Sequence, residues 1–77
     1  MSNSHQLDQL DCLGKRCPLP VIELARKISE QEIGYKVILL SDDPASAPDL
    51  VAWARMTGNS VEVLSQSSFE ITKLANN

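Results

Sequence analysis

Gly34-Tyr35-Lys36-Val37-Ile38-Leu39-Leu40, residues 34–40, is the stretch on which the fold turns. A glycine stop is followed by a short run rich in apolar and β-branched residues, too brief for a helix and suited to a buried central strand. Helical patterns lie on both sides of it. Strand, helix, strand, helix in succession is the signature of right-handed crossovers and a sheet containing parallel pairs.

Upstream, Val21, Leu24, Ala25 and Ile28 recur at helical spacing, with Glu23, Arg26, Lys27 and Glu30 on the opposite face. This predicts a helix over residues 18–33, with Glu23 and Lys27 as an i,i+4 ion pair. Downstream, Ser46-Ala47-Pro48-Asp49 has the form of a capping box, and Leu50, Trp53 and Ala54 make an apolar face that ends at Gly58-Asn59. The four prolines fall in two groups, Pro18/Pro20 and Pro44/Pro48, each ahead of a helical pattern; Gly34 and Gly58 stand where the patterns stop, the usual asymmetry of helix ends.

The remainder reads as strands. Residues 60–64 and 69–73 alternate with period two and are separated by Ser65–Ser68, which predicts an antiparallel hairpin. Residues 6–12, with Leu7, Leu10 and Cys12 apolar, supply a first strand. The order is β-α-β-α-β-β, expected to fold as one domain over 1–77: an α/β two-layer sandwich with both helices on one face of a four-stranded sheet.

Composition bounds the function. The chain has 77 residues, a 43% hydrophobic fraction and a formal net charge of −3, which suits a compact globule. The apolar runs, Val37 to Leu40 among them, are far short of the about 20 residues a bilayer span needs. With no cluster of Lys or Arg there is no footprint for a phosphate backbone, so neither direct nucleic-acid binding nor a membrane is expected. The polar start, Met1 to Gln6, lacks the layout of a secretory signal. A cytoplasmic location and two free thiols follow as expectations.

Asp11-Cys12-Leu13-Gly14-Lys15-Arg16-Cys17-Pro18-Leu19-Pro20 is the segment whose residue types go beyond packing. With Pro18 at the first helical position, Cys17 is the N-cap, facing unbonded N–H groups and the positive end of the helix dipole. That environment favours thiolate, the reactive form. Lys15 and Arg16 add positive charge in the same direction. Pro18 and Pro20 set φ before folding and restrict the donors near the sulfur to the N–H groups of Leu19 and Val21. Gly14 permits a sharp turn leading to Cys17. Cys12, at a strand end, reads as a small buried hydrophobe, with a resolving thiol for Cys17 as the competing role. Asp42-Asp43 ahead of Pro44 reads as turn and cap chemistry, and Trp53 as core.

A cysteine hydrolase needs a base, normally histidine, beside its nucleophile, and the sole histidine, His5, lies in the polar N-terminal tail. Cys12, Cys17 and His5 do not have the ligand count or spacing of a usual zinc site. No Gly-rich nucleotide loop is present. The residues call for no metal and no cofactor.

On Asp11-x-x-Gly14-x-x-Cys17-Pro18-x-Pro20, then Asp42-Asp43-Pro44, Asp49 and Gly58, the chain resembles the TusA/SirA (YedF-like) family of small bacterial-type sulfur carriers. The resemblance implies a mixed sheet of strand order 1-2-4-3. It also implies that Cys17 takes sulfane sulfur as a persulfide from a cysteine desulfurase or rhodanese-like donor and gives it to an acceptor protein, in a relay ending in tRNA 2-thiouridine or another product of sulfur metabolism. Asp11, Gly14, Arg16, Pro18 and Pro20 would support it. Such a carrier is a sulfurtransferase-type intermediary rather than a stand-alone enzyme. Two other classes remain at this point: a dithiol redox module using Cys12 and Cys17, and a non-catalytic regulatory interaction domain.

Overall fold

The computed structural model describes residues 8–16 and 19–75. Six elements follow in the expected order: β1 (Asp8–Asp11), α1 (Leu19–Ser29), β2 (Lys36–Leu40), α2 (Ser46–Thr57), β3 (Ser60–Val63) and β4 (Ser68–Thr72). The sheet order is β1-β2-β4-β3. β1 runs parallel to β2, and β4 lies antiparallel to both β2 and β3. This is the mixed two-layer α/β arrangement that the sequence and the family resemblance imply.

Register explains the layering. Val37 stands opposite Ile71 and Leu39 opposite Phe69; Leu10 pairs with Leu39 from the other side. Side chains two apart share a face, so these residues form one apolar surface. Leu24 and Ile28 of α1 and Leu50 and Trp53 of α2 close over it, and Val37, Leu39, Phe69 and Ile71 are buried with them. Each fully buried leucine, isoleucine or phenylalanine is worth about 2–3 kcal/mol relative to exposure. The opposite face of the central strand pair, with Ile38 and Leu40 half-buried, carries no helix.

Several boundaries differ from the sequence expectation, each for a physical reason. The first helix, expected over 18–33, ends at Ser29. Beyond it the chain tightens into three-residue turns, with the N–H of Glu30 on the Lys27 carbonyl (3.2 Å) and of Gln31 on that of Ile28 (3.0 Å). Lys73 makes this stop permanent: its Nζ donates to the carbonyls of Ile28 (3.0 Å) and Gln31 (2.7 Å). The carbonyl of Gln31 lies past the helix end, and that of Ile28 shares Lys73 with the Gln31 N–H. The expected Glu23–Lys27 pair is replaced by Glu23–Lys15 at 2.7 Å, while Lys27 Nζ lies 6.0 Å from the Tyr35 ring centroid.

The capping box at Ser46 is a second correction. The N-cap of α2 is Ala45, which has no side-chain cap. Ser46 is already helical and fully buried, its hydroxyl 2.5 Å from that of buried Ser41. At the other end Gly58 adopts φ 82° and its N–H reaches the Ala54 carbonyl at 2.8 Å, the left-handed glycine stop expected there. β1 is described over Asp8–Asp11, one residue short of the expected end at Cys12, and residues 6 and 7 of the expected strand lie outside the described residues. In the hairpin β3 starts at Ser60 as expected and ends one residue early, at Val63, while β4 is displaced by one residue to Ser68–Thr72.

Candidate functional site at the start of the first helix

β1 and β2 are parallel neighbours, so the loops that leave their C-terminal ends emerge side by side. This is the edge at which open α/β sheets commonly place their sites. The first loop, residues 12–18, contains the expected reactive cysteine. Cys17 and Pro18 lie outside the described residues, as does His5.

The loop is folded by its own backbone and by two carboxylates. Asp11, the last residue of β1, accepts the Leu13 N–H on Oδ1 at 3.0 Å, the local bond that makes aspartate a turn former. The Lys15 N–H closes a four-residue turn on the Cys12 carbonyl at 3.1 Å. Gly14 is its third residue, at φ +81°, a conformation that costs an L-residue strain. A Cβ there would meet nothing within 4 Å, so the dihedral alone asks for glycine.

The second carboxylate comes from elsewhere. Asp42, 28 residues later and two past the end of β2, accepts the Gly14 N–H on Oδ1 at 3.0 Å. Its neighbour Asp43 acts locally, accepting the Ala45 N–H at 2.9 Å, the turn role expected of the pair. Between the two loops lies a cavity of about 370 Å³ lined by Gly14, Lys15, Arg16, Asp42, Asp43 and Pro44. Arg16 is exposed and its carbonyl accepts the Leu19 N–H at 2.9 Å. This bond engages one of the two donors that the sequence reserves for the cysteine sulfur. Pro20 is fully buried, so it anchors the first turn of α1 in the core as well as stiffening it.

Lys15 differs from its expected role. Its ammonium is held by Glu23 of α1 at 2.7 Å, so its charge is offset rather than free. Each partner shifts the other: the hydrogen bond raises the Lys15 pKa and lowers that of Glu23. The same carboxylate accepts the Cys12 S–H at 3.7 Å. Cys12 is fully buried, as expected of a strand-end hydrophobe, with its N–H on the Leu40 carbonyl at 2.8 Å. Burial first, and then the Glu23 charge, push its thiol pKa up, which disfavours the thiolate that any exchange chemistry requires.

Trp53 is a core residue at 9% exposure, and its edge forms part of a groove of about 220 Å³ with Val21, Ala52, Met56 and Asp49 between the helices. Among the described residues no group of three or more His, Cys, Asp or Glu side chains is placed to hold a metal ion, and no helix is long and apolar enough to cross a membrane. Sequence reasoning missed two contacts that shape the site, Asp42 on Gly14 and Glu23 on Lys15. Both span turns of chain over which no local periodicity operates.

The sequence profile of the family described as Sulfurtransferase TusA matches residues 8–74. Two Archaeoglobus fulgidus proteins, each named "Putative sulfur carrier protein", are similar. One is 35% identical over 52 residues (68% of this chain and 68% of the relative) and the other 33% identical over 61 residues (78% and 84%). The Sulfur carrier protein TusA of Allochromatium vinosum is 33% identical over 51 residues, covering 66% of this chain and 67% of its own.

Proposed function

Because the chain belongs to the TusA sulfurtransferase family, whose relatives are sulfur carriers by name, we propose that Cys17 is the atom that carries the sulfur. The Cys17 thiolate attacks the outer sulfur of a donor persulfide. A new S–S bond forms at Cys17, the donor S–S bond breaks, and the donor leaves as a thiolate. The acceptor thiolate then takes the outer sulfur in the same way and Cys17 departs as thiolate. No electrons are gained or lost over the two steps, and neither needs a base or a metal.

The family match across residues 8–74 carries this reading. The surroundings support it. Asp11 and Gly14 fold the loop ahead of Cys17, Pro20 seats the first turn after it in the core, and Arg16 adds exposed positive charge beside it in sequence. Pro18 completes the Cys-Pro-x-Pro motif. A helix start favours an anion, whether thiolate or persulfide, and leaves it open to the next thiol.

A cysteine desulfurase or rhodanese-like protein is the donor in this scheme and a thiol protein the acceptor. Transfer towards tRNA 2-thiouridine in the cytoplasm is one destination. The residues 8–74 act as one carrier domain. A dithiol mechanism is disfavoured by Cys12, whose sulfur is buried and whose pKa is raised.

Intact-mass measurement after incubation with a cysteine desulfurase and free cysteine tests the proposal. One added sulfur, removed by reductant and absent from Cys17→Ala, is expected. No added sulfur, or addition that survives Cys17→Ala, overturns it. If Cys17→Ala keeps its biological role, the chain is an interaction domain instead.

A further inference from the structure

The hydrogen bond between Asp42 and Gly14 joins two loops 28 residues apart at one end of the sheet. Among the described residues, the other bonds that hold residues 13–16 come from β1, from the loop itself, or from α1, to which that loop connects: the Asp11 turn, the Cys12–Lys15 turn and the Glu23–Lys15 pair. Three further contacts pin the adjoining segments. Cys12 is tied to Leu40 by its N–H, and Ser41 is locked to Ser67 and Ser46. Asp42 therefore extends from a rigid base, directly after a fully buried residue. The amide it receives belongs to a glycine with φ +81°, three residues ahead of Cys17 in sequence.

We infer that Asp42 is a positioning residue for sulfur transfer, fixing the loop that leads into Cys17 through its bond to the Gly14 amide. The inference rests on the carrier reading above and goes beyond it, because it makes the β2–α2 loop part of the sulfur-handling machinery. A left-handed glycine is a free hinge unless its amide is held. Asp42 holds it with a side-chain oxygen at 3.0 Å, an ordinary hydrogen-bond length. The role of Asp42 is the acceptor oxygen. Its charge is not what the bond requires, since the Gly14 donor is a neutral amide.

This separation of oxygen from charge makes the proposal testable with two variants. Asp42→Ala removes the acceptor; Asp42→Asn keeps an acceptor oxygen and removes the charge. Three readouts apply: hydrogen exchange of the Gly14 amide, the pH profile of Cys17 alkylation by iodoacetamide followed by peptide mass, and persulfide loading by inorganic polysulfide. Asp42→Ala is expected to release the Gly14 amide, to displace the alkylation profile and to slow loading by about tenfold, from the net worth of one hydrogen bond. Asp42→Asn is expected to restore all three. A wild-type alkylation profile and loading rate in Asp42→Ala, or an Asp42→Asn variant as impaired as the alanine, overturns the proposal. Failure of the wild-type chain to form a persulfide on Cys17 would count against the carrier reading instead, and the alkylation profile would still judge the role of Asp42.

Discussion

The ammonium of Lys15 lies 2.7 Å from the carboxylate of Glu23, across the loop that contains the candidate reactive cysteine. Each side chain remains partly open to water, at 41% and 31% exposure, so the pair is a modest contributor to stability. Its effect is to fasten the loop onto the second turn of α1. Glu23 serves a second partner as well, taking the Cys12 S–H, and so links the buried thiol to the exposed cation.

Replacing Glu23 by glutamine should reveal this pair through pH. The Glu23 carboxyl is held below its usual range by Lys15, so its contribution is present above the ordinary carboxylate pKa and disappears as pH falls through the depressed value. Lys15 is raised, so its contribution is present below the ordinary lysine pKa and disappears as pH rises through the raised one. The wild-type melting temperature should exceed that of Glu23→Gln over the neutral plateau. The two curves should converge in acid, and added salt should narrow the gap. A gap that is constant from acid to neutral pH would show that the lost contact is packing instead of charge.

The two cysteines should behave oppositely. Cys12 is sealed in the core with a raised pKa, so iodoacetamide should modify it only on unfolding. Because its folded pKa is raised, the stabilisation it gives is present below the ordinary thiol pKa and erodes as pH rises through the folded value. Cys12→Ala should lower stability by about 1 kcal/mol, as expected for removing one buried heavy atom, and leave sulfur loading unchanged. Cys17→Ala should abolish loading. Loss of loading in Cys12→Ala, in a protein that still folds, would return the dithiol reading to consideration.

Lys73 is 2% exposed, and its Nζ donates to the carbonyls of Ile28 and Gln31 at the end of α1. A cation at a helix C-terminus satisfies orphan acceptors and opposes the negative end of the dipole. Lys73→Met keeps most of the buried stem and removes both bonds. It should cost about 1–2 kcal/mol, the penalty for stranding the Gln31 carbonyl, since that of Ile28 keeps the Gln31 N–H, measured by urea denaturation with the loading of Cys17 intact. A loss of less than about 0.5 kcal/mol would mean that water replaces the ammonium without cost.

Lys73 also shows where sequence reading stops. The alternation that places Phe69 and Ile71 inside the sheet places residue 73 on the same side, so its burial was implicit in the period; its target, 42 and 45 residues upstream, was not. Element order and type were legible because proline, glycine and apolar spacing act locally. Helix ends were less so. The first helix stops at Ser29 because tertiary contacts finish it. Ser46, which looks like a cap, instead turns its hydroxyl to Ser41. At the candidate site the turn at Gly14 could be read, since the glycine dihedral and the Cys12–Lys15 bond that closes it are local. Asp42 on Gly14 and Glu23 on Lys15 could not, because they depend on where the fold brings distant loops.

The basic face of α1 offers a test of how the carrier recognises its partners. Arg26 is exposed, and Lys27 is half-buried with its ammonium 6.0 Å from the Tyr35 centroid; a shallow surface depression of about 340 Å³ joins both to Leu10, Glu23 and Glu30. If partners approach this face through acidic or mixed surfaces, reversing charge slows encounter more than it slows chemistry. Arg26→Glu is the cleaner variant, because Lys27→Glu also removes the ring contact. Each should reduce the second-order rate of sulfur transfer from a desulfurase by about tenfold at low ionic strength, with the deficit shrinking as salt is added. Loading by inorganic polysulfide, which has no docking surface to recognise, should respond weakly. Equal losses with protein and small-molecule donors would place the effect at the thiol, and an unchanged rate with the desulfurase would remove this face from the docking surface.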